Sequence, residues 1–200
     1  MPALTAQARL LGEGGLCIVP TDTVYGIGAA AAAEAACLRA FELKRRPPGQ
    51  PTALVAGSVE CLVEALGLAA AGPESSLLGA LLPGPLTLVV ANPGRRFVHL
   101  CGADPGRIGV RVPDLRPEVA ELADLAGGLA LTSANMHGGP DPAVLGDVPG
   151  ELRDSAAVVI DGGRLPGTAS AVIDLTGAAP RVLRDGPGAS KALRRLARLG

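Results

Sequence analysis

Short apolar runs alternate with helix-forming segments along most of this chain, and that alternation restricts the folds it can adopt. The runs that predict strands are Leu16 to Val19, Thr52 to Ala56, "PLTLVVA", "RIGVRVP" and "GLALTSAN". The segments that predict helices are "AAAAAEAACLRAFELKRR", "SVECLVEALGLAA" with Ser58 as its cap, and "RPEVAELADLAG". Three further runs, "AAVVIDGG", "ASAVIDLT" and "PRVLRDG", follow close together and suit antiparallel additions to a sheet. The order predicts an α/β domain with a mixed sheet and flanking helices.

Two helical segments have a predicted inward face. In the first, Pro47 ends the helix, and the inward residues are Ala30, Ala33, Cys37, Leu38 and Phe41. The closing segment "SKALRRLARL" predicts a basic surface helix that packs Leu193, Leu196 and Leu199 inward.

Length and composition support one domain, residues 1–200. A chain of 200 residues is typical of a single core, and hydrophobic residues make up 48% of it. Aromatic residues make up only 2%, so the core must consist of small aliphatic side chains in close contact. The formal net charge of −1 argues against a protein that coats nucleic acid, because such binding needs a large excess of cations.

Several common signals are missing from the sequence. No apolar run reaches the roughly 18 residues of a membrane span and no secretory signal core is visible, so a cytoplasmic location is expected. The four cysteines have no C-x-x-C spacing, which indicates free and mostly buried thiols rather than a metal site. No P-loop motif occurs. "YGIGAAA" lacks the acidic residue about twenty positions on that a dinucleotide site needs, and is interpreted as a tight turn.

Four polar segments at predicted strand or helix ends together indicate a site for an anionic ligand. They are "PTDTVYG", "KRRP", "RIGVRVP" and "TSAN". Alone, "KRRP" is typical of a solvated helix end and "TSAN" of a turn. Together they supply cations, hydroxyls and an amide: Lys44, Arg46, Arg107, Arg111, Thr21, Thr23, Thr132, Ser133 and Asn135. Arginine grips phosphate or carboxylate in a fork, lysine adds a point charge, and hydroxyls and amides fix orientation.

These segments resemble a known family. "PTDTVYGIGA", "FELKRRPPGQP", "PGPLTLVV", "RIGVRVPD", "LTSANMHGG" and "TASAVIDLT" with "PRVLRDG" match, in order, the motifs of the YrdC-like threonylcarbamoyl-adenylate synthases. The resemblance covers about residues 15–188, and the chain is similar to the short, single-domain form of the family. It implies a twisted mixed sheet with flanking helices and a concave basic cavity. The most specific element is the catalytic tetrad of the K-x-R and S-x-N motifs, here Lys44, Arg46, Ser133 and Asn135.

The resemblance also implies a reaction. Threonine and bicarbonate or CO2 form a carbamate, which attacks the α-phosphorus of ATP with Mg²⁺ and gives threonylcarbamoyl-AMP and pyrophosphate. The adenylate would pass to a downstream transferase complex that modifies adenosine 37 of tRNA, with at most a weak contact between this protein and tRNA. Fixed cations and phosphate-held Mg²⁺ would supply most of the transition-state stabilisation. No histidine or carboxylate pair is therefore required, and no protein metal ligand is predicted.

Individual roles carry over by position. The residues that resemble ATP contacts are Arg46, Gln50, Arg107, Ala134 and Arg184. The residues that resemble threonine contacts are Thr23, Arg111, Thr132 and Ser170. Val55 stands where the family often has a histidine near the threonine. An alternative is a YrdC-like paralogue that binds RNA or nucleotide without synthase activity, although the intact tetrad and the scarcity of aromatic residues favour the enzyme.

The three adjacent cations of "KRRP" are expected to divide between site and solvent. Successive residues cannot share one helix face, and Pro47 ends regular structure at this point. We therefore expect Lys44 and Arg46 to face the ligand site and Arg45 to face solvent.

Overall fold

Nine strands form one mixed sheet in the computed structural model, which describes residues 2–199. The strands are β1 (Leu16–Pro20), β2 (Tyr25–Ala30), β3 (Ala53–Val55), β4 (Leu86–Ala91), β5 (Arg107–Arg111), β6 (Leu129–Ser133), β7 (Ala156–Val159), β8 (Ala171–Asp174) and β9 (Arg181–Arg184). Their order across the sheet is β7-β1-β2-β6-β3-β5-β4-β8-β9. The predicted α/β class with a mixed sheet is confirmed.

Seven helices accompany the sheet in the described part of the chain. They are α1 (Pro2–Gly12), α2 (Glu34–Leu43), α3 (Val59–Leu66), α4 (Pro73–Leu81), α5 (Pro117–Leu125), α6 (Gly150–Asp154) and α7 (Ala189–Leu199). Helices α1 and α4 were not predicted from the sequence, although Pro73 at the start of α4 is a helix-start signal. None of the helices in residues 2–199 has the length and apolar character needed to cross a membrane.

The two faces of the sheet are covered unequally. Helices α2, α3, α4 and α7 pack on one face, where residues such as Leu54, Leu88 and Val110 form the largest apolar cluster. Helices α1 and α5 pack on the other face against β1, β6 and β7. Because these two helices cover only one half of that face, the remaining half, around β5, β4 and β8, opens into a cavity.

The last three strands differ from the prediction that they are antiparallel additions. Strand β7 is parallel to β1 and β8 is parallel to β4, so only β9, paired with β8, is antiparallel to its neighbour. These runs are close in sequence, but β7 forms one edge of the sheet and β8 lies near the other. Residues 160–170 join them as a long irregular connection between the two sides of the sheet.

Strand β2 was missed because its sequence, "YGIGAA", has the composition of a turn followed by a helix. The strand is central, pairing with β1 on one side and β6 on the other, so tertiary hydrogen bonds override the helix preference of alanine. A side chain at position 28 is also excluded on steric grounds, because a Cβ added to Gly28 would lie 1.8 Å from the Ala130 carbonyl oxygen. Gly26 and Gly28 are therefore strand residues, and not the predicted tight turn.

The two predicted inward helix faces are only partly correct. In α2 the buried residues are Ala36, Cys37 and Ala40, while Leu38 is exposed and Ala30 belongs to β2. In α7 the inward side consists of Ala189, Ala192 and the partly buried Leu196. Leu193 and Leu199, predicted to pack inward, are exposed.

Candidate functional site

The uncovered part of the sheet forms a cavity of about 580 Å³. Its floor comes from alternate residues of neighbouring strands, since only every second side chain of a strand faces one side: Ala53 and Val55, Thr87 and Val89, Arg107, Gly109 and Arg111, Val172 and Asp174. Five arginines and three aspartates line it, namely Arg46, Arg107, Arg111, Arg181 and Arg184, with Asp104, Asp141 and Asp174. The excess of cations agrees with the concave basic cavity expected from the sequence.

The C-terminus of α2 brings two cations to one side. The N–H of Arg45 donates to the Glu42 carbonyl and the N–H of Arg46 donates to the Phe41 carbonyl, which is the bond pattern of a Schellman motif. Arg45 occupies the left-handed position of that motif with φ of 54°. The change of chain direction at Arg45 leaves Lys44 buried and places Arg46 in the cavity lining, while the Arg45 side chain is 78% exposed. The prediction is correct for Arg45 and Arg46, whereas Lys44 is buried and does not itself line the cavity.

Replacing Arg45 with glycine should stabilise the protein. Glycine adopts positive φ without the steric penalty of a Cβ, so Arg45→Gly should raise the free energy of unfolding by about 1 kcal/mol. Equilibrium urea unfolding measures this difference. Arg45→Ala is the matched control, because it removes the charge and keeps the backbone penalty, and should change stability by less than about 0.5 kcal/mol. A loss of stability in Arg45→Gly would contradict the assignment.

Lys44 lies below the cavity wall, where it joins α2 to the end of β6. Its Nζ donates to the Ser133 carbonyl and, over 3.1 Å, to Asn135 Oδ1. The Ser133 hydroxyl donates to the same Asn135 oxygen over 2.6 Å. Burial, and secondly the charge of Arg46, lowers the pKa of Lys44 to about 8. Three of the four residues predicted as a tetrad, from two distant segments, thus form one hydrogen-bonded cluster.

Arg46 bridges the loop after α2 and the end of β6. Its Nε donates to Gln50 Oε1 and its Nη1 donates to Thr132 Oγ1, each over 3.0 Å. Its third nitrogen donates to the Pro51 carbonyl. Desolvation lowers the pKa of this guanidinium, yet arginine stays charged in proteins. One N–H on each terminal nitrogen is left to face an anion in the cavity.

A second cation, Arg111 at the end of β5, is held by the loop between β1 and β2. Its Nη2 donates to Thr23 Oγ1 over 2.7 Å and pairs with the Asp22 carboxylate. Burial lowers the pKa of Arg111, while Asp22 opposes that shift. The buried Nε of Arg111 has no partner among residues 2–199. Nε is inaccessible and shares its side of the fork with the occupied Nη2, so the donors left for a carboxylate are those of Nη1, which forms no hydrogen bond with a described residue.

Asp22 has a role that sequence reasoning missed. Both Asp22 and Arg111 side chains are only 11% exposed, and Asp22 also accepts from the Asp114 N–H over 3.0 Å. An aspartate within "PTDTVYG" is compatible with a turn, and the arginine that it pairs with is 89 residues away. Only the fold reveals that it fixes the guanidinium.

The far end of the cavity is formed by β4, β8 and β9. Ser170 Oγ lies 3.0 Å from Thr87 Oγ1, and Arg184 donates to both the carbonyl and the hydroxyl of Ser170. Arg107 binds Asp104 over 2.7 Å. Each of these cations keeps unused N–H donors.

The predicted site residues fall into two groups. Those that line the cavity are Thr23, Arg46, Arg107, Arg111, Thr132, Ser133, Ser170 and Arg184. Lys44, Gln50 and Asn135 are behind the wall and bonded to it. Ala134, predicted as an ATP contact, does not line the cavity: it is fully buried in an apolar cluster with Ile18 and Tyr25, and its N–H donates to the Tyr25 carbonyl.

Tyr25 is a further residue that the sequence motifs did not single out. Its buried ring ends in a hydroxyl that donates to Asp161 Oδ1 and accepts from the Gly162 N–H, both over 2.8 Å. Gly167 in the same connection donates to the Thr23 carbonyl over 2.8 Å. These bonds fix residues 160–170 beside the cavity, where the connection delivers Ser170.

The fold and site define an α/β protein with a cation-lined cavity for a small, highly charged ligand. The family model Sua5/YciO/YrdC, described as Telomere recombination, matches residues 9–186. The chain belongs to this family, which confirms the resemblance found in the sequence.

Named relatives share this architecture. A protein of Mycobacterium tuberculosis called putative threonylcarbamoyl-AMP synthase is 38% identical over 177 residues, which cover 87% of this chain and 79% of that protein. The threonylcarbamoyl-AMP synthase of Pyrococcus abyssi is 36% identical over 182 residues, which cover 90% of this chain and 52% of that protein. The crystal structure of P. abyssi Sua5 complexed with L-threonine superposes with a TM-score of 0.78 at 35% identity, covering 90% of this chain and 53% of that chain. This chain thus spans about half the length of the P. abyssi protein.

Proposed function

We propose that the protein is an L-threonylcarbamoyladenylate synthase, a nucleotidyltransferase that makes threonylcarbamoyl-AMP and pyrophosphate from L-threonine, bicarbonate and ATP. One observation carries the proposal: the cluster in which Lys44, Ser133 and Asn135 bond to one another beside the bridge from Arg46 to Thr132. Relatives at 34–38% identity are named for this activity, and a related structure contains L-threonine. No observation favours the alternative, a relative that binds RNA or nucleotide without synthesis.

The threonine end of the cavity follows from the contacts of Arg111. Since Nη2 is occupied by Asp22 and Thr23 and Nε is inaccessible, Nη1 would take the threonine carboxylate in a charge-assisted bond. Thr132 and Ser170 also line the cavity and would supply hydroxyls to the bound threonine. The threonine amine would then point toward the tetrad, where it combines with bicarbonate or CO2.

The nucleotide would take the remaining cations. A carbamate oxygen attacks the α-phosphorus, the bond to pyrophosphate breaks, and negative charge increases on the phosphoryl oxygens. Arg46 and Lys44, held by Gln50, Thr132 and Asn135, are placed in advance to stabilise that charge. Arg107 and Arg184 would bind the rest of the nucleotide.

The donor set of the cavity fits Mg²⁺ that is held mainly by ATP. No group of three or more metal-binding side chains occurs among residues 2–199. Of the aspartates that line the cavity, Asp104 and Asp174 bind arginines, while Asp141 forms no ion pair with a described residue. Asp141 would therefore be the carboxylate available to the ion, which supplies charge neutralisation to the phosphates.

The proposed place of the protein in the cell follows from its product. Threonylcarbamoyl-AMP is a mixed anhydride that an acceptor amine must consume, which fits a downstream transferase complex acting on tRNA. A cytoplasmic location and a weak contact with tRNA stay predictions.

The experiment that tests the function uses purified protein with ATP, labelled L-threonine, bicarbonate and Mg²⁺. Pyrophosphate and a labile labelled adenylate should appear, and omission of threonine should abolish both. Folded protein that releases no threonine-dependent pyrophosphate would contradict the proposal. Serine in place of threonine tests substrate choice, which matters because Val55 in the cavity floor adds no polar contact.

ATP binding should weaken as the pH rises through about 8. The pKa of Lys44 is lowered to about 8, so its charge is present below that pH and lost above it, whereas the arginines stay charged. The terminal phosphate of ATP is expected to be ionised already, since such groups titrate at about 6. Calorimetric titration of ATP between pH 7 and 9 measures the decrease. Lys44→Met should bind ATP more weakly and without this pH dependence, and an unchanged pH profile in that variant would contradict the assignment.

A further inference from the structure

Asp174, the last residue of β8, contacts two cavity arginines at once. Its Oδ2 lies 3.6 Å from Arg107 Nη1 and 3.3 Å from Arg181 Nη2. Arg107 comes from β5 and Arg181 from β9, so the carboxylate connects side chains from strands on either side of it in the sheet. Neither Asp174 nor Arg181 was predicted from the sequence as a site residue.

The carboxylate itself cannot move freely. Its other oxygen, Oδ1, accepts from the Thr176 N–H over 3.0 Å and from the Thr176 hydroxyl over 2.6 Å. The Asp174 side chain is 7% exposed, and these bonds lower its pKa, so it stays charged at neutral pH. Asp174 is thus a fixed anion against which two guanidinium groups are aligned.

The carboxylates at this position are shared unequally between the two arginines. Two guanidinium groups share one oxygen of Asp174, and although Arg107 also binds Asp104, Arg181 has no second carboxylate among the described residues. Nη2 of Arg107 and both Nε and Nη1 of Arg181 have no hydrogen-bond partner in residues 2–199. Both side chains line the cavity, so these donors are available to a ligand there.

A purely structural role explains Arg181 poorly. The side chain is 70% exposed, and exposed ion pairs contribute little to stability. A pair of guanidinium forks held side by side is instead the arrangement that binds a phosphate group through several charge-assisted bonds.

We propose that Arg107 and Arg181 form a two-arginine phosphate clamp, which Asp174 positions, at the β8–β9 end of the cavity. The ligand class is a phosphate or pyrophosphate group, which the proposed function would supply as part of ATP or as the pyrophosphate product. Arg181 is a direct ligand contact in this arrangement, and Asp174 is a positioning residue.

Arg181→Gln tests the clamp, with Arg194→Gln as the matched control. Arg194 is an exposed cation on α7 outside the cavity, so both variants lose one positive charge. Calorimetric titration with inorganic pyrophosphate should give about five- to tenfold weaker binding for Arg181→Gln and less than about twofold for the control. The KM for ATP should rise similarly, while the KM for threonine stays the same. Equal losses in both variants, or no loss in Arg181→Gln, would overturn the clamp.

A double-mutant cycle tests the role of Asp174. Removal of the Asp174 charge also changes the electrostatic potential in the cavity, but that effect on binding adds to the effect of Arg181→Gln. A positioning effect does not add, because Asp174 would then act through Arg181. In an Asp174→Asn background, Arg181→Gln should weaken pyrophosphate binding by less than about twofold. The same five- to tenfold loss in both backgrounds would show that Asp174 does not position Arg181. Thr176→Val, which removes the hydroxyl bond to the carboxylate but keeps its charge and the backbone N–H bond, provides a second background if Asp174→Asn does not fold.

The pyrophosphate titration separates this inference from the proposed function. If wild-type protein makes no adenylate but binds pyrophosphate through Arg181, the clamp stands and the synthase proposal fails. If the synthase is active and Arg181→Gln behaves like Arg194→Gln, the clamp fails alone.

Discussion

Arg46→Ala is expected to reduce synthase activity by a factor of about 10² to 10³ while the fold stays intact. A preorganised donor aimed at charge that develops in the transition state contributes that much in other enzymes. The substitution removes hydrogen bonds to Gln50, Thr132 and the Pro51 carbonyl at the cavity wall, and the approach of the guanidinium to the Phe41 ring, 5.3 Å away. Since the buried apolar core is left intact, the free energy of unfolding should change by less than about 1 kcal/mol.

The measurement is pyrophosphate release under saturating ATP and threonine, paired with urea unfolding of the same preparations. Arg45→Ala is the matched control, since the neighbouring cation faces solvent and its nearest carboxylate, Glu151, is 3.9 Å away. Arg46→Lys keeps the charge but loses the fork, so its activity should be intermediate. If Arg46→Ala unfolds, or if Arg45→Ala loses as much activity, the site is assigned to the wrong residues.

The contrast between Arg45 and Arg46 also shows which structural features the local sequence could predict. Residue alternation and Pro47 predicted which of three adjacent cations would face solvent, because a helix end is a local event. The same holds for Ser58, whose hydroxyl accepts from the Cys61 N–H over 3.1 Å and caps α3 as predicted. Local chemistry therefore placed individual side chains correctly where the controlling contacts were near in sequence.

Errors arose where distant contacts decide the outcome. Strand β2 contains alanines and glycines, and it forms because β1 and β6 supply hydrogen bonds on both sides. The orientation of β7 and β8 depends on which sheet edge each strand reaches, and spacing along the chain carries no information about that. The clamp residues Asp174 and Arg181 were missed for the same reason, since their shared partner Arg107 comes from β5.

The family resemblance supplied what local rules could not. It grouped Lys44 with Asn135, and the structure places Lys44 Nζ 3.1 Å from Asn135 Oδ1. Yet it carried over only ligand contacts, and so omitted the residues that hold those contacts in place. Asp22 and Tyr25 are of this kind, because Asp22 binds Arg111 and Tyr25 binds the 160–170 connection.

Asp22→Asn should be the most destabilising of these substitutions. It removes the carboxylate from a pair whose side chains are both 11% exposed, leaving the Arg111 guanidinium buried without a counter-charge. Loss of one partner of a buried ion pair costs about 3 kcal/mol or more, and the freed guanidinium would no longer hold the threonine carboxylate in a fixed position. We therefore expect a large loss of both stability and activity, measured by urea unfolding and pyrophosphate release.

The double variant Asp22→Asn/Arg111→Met separates these two losses. With no buried charge left uncompensated, it should recover most of the free energy of unfolding lost by Asp22→Asn, yet stay inactive. Asp104→Asn is the matched control, since its ion pair with the half-exposed Arg107 is open to solvent and its loss should change stability little. If the double variant is as unstable as Asp22→Asn, the bond from the Asp114 N–H, and not the ion pair, explains the stability. If it is active, another cation binds the threonine carboxylate, and Arg111 serves only to neutralise Asp22.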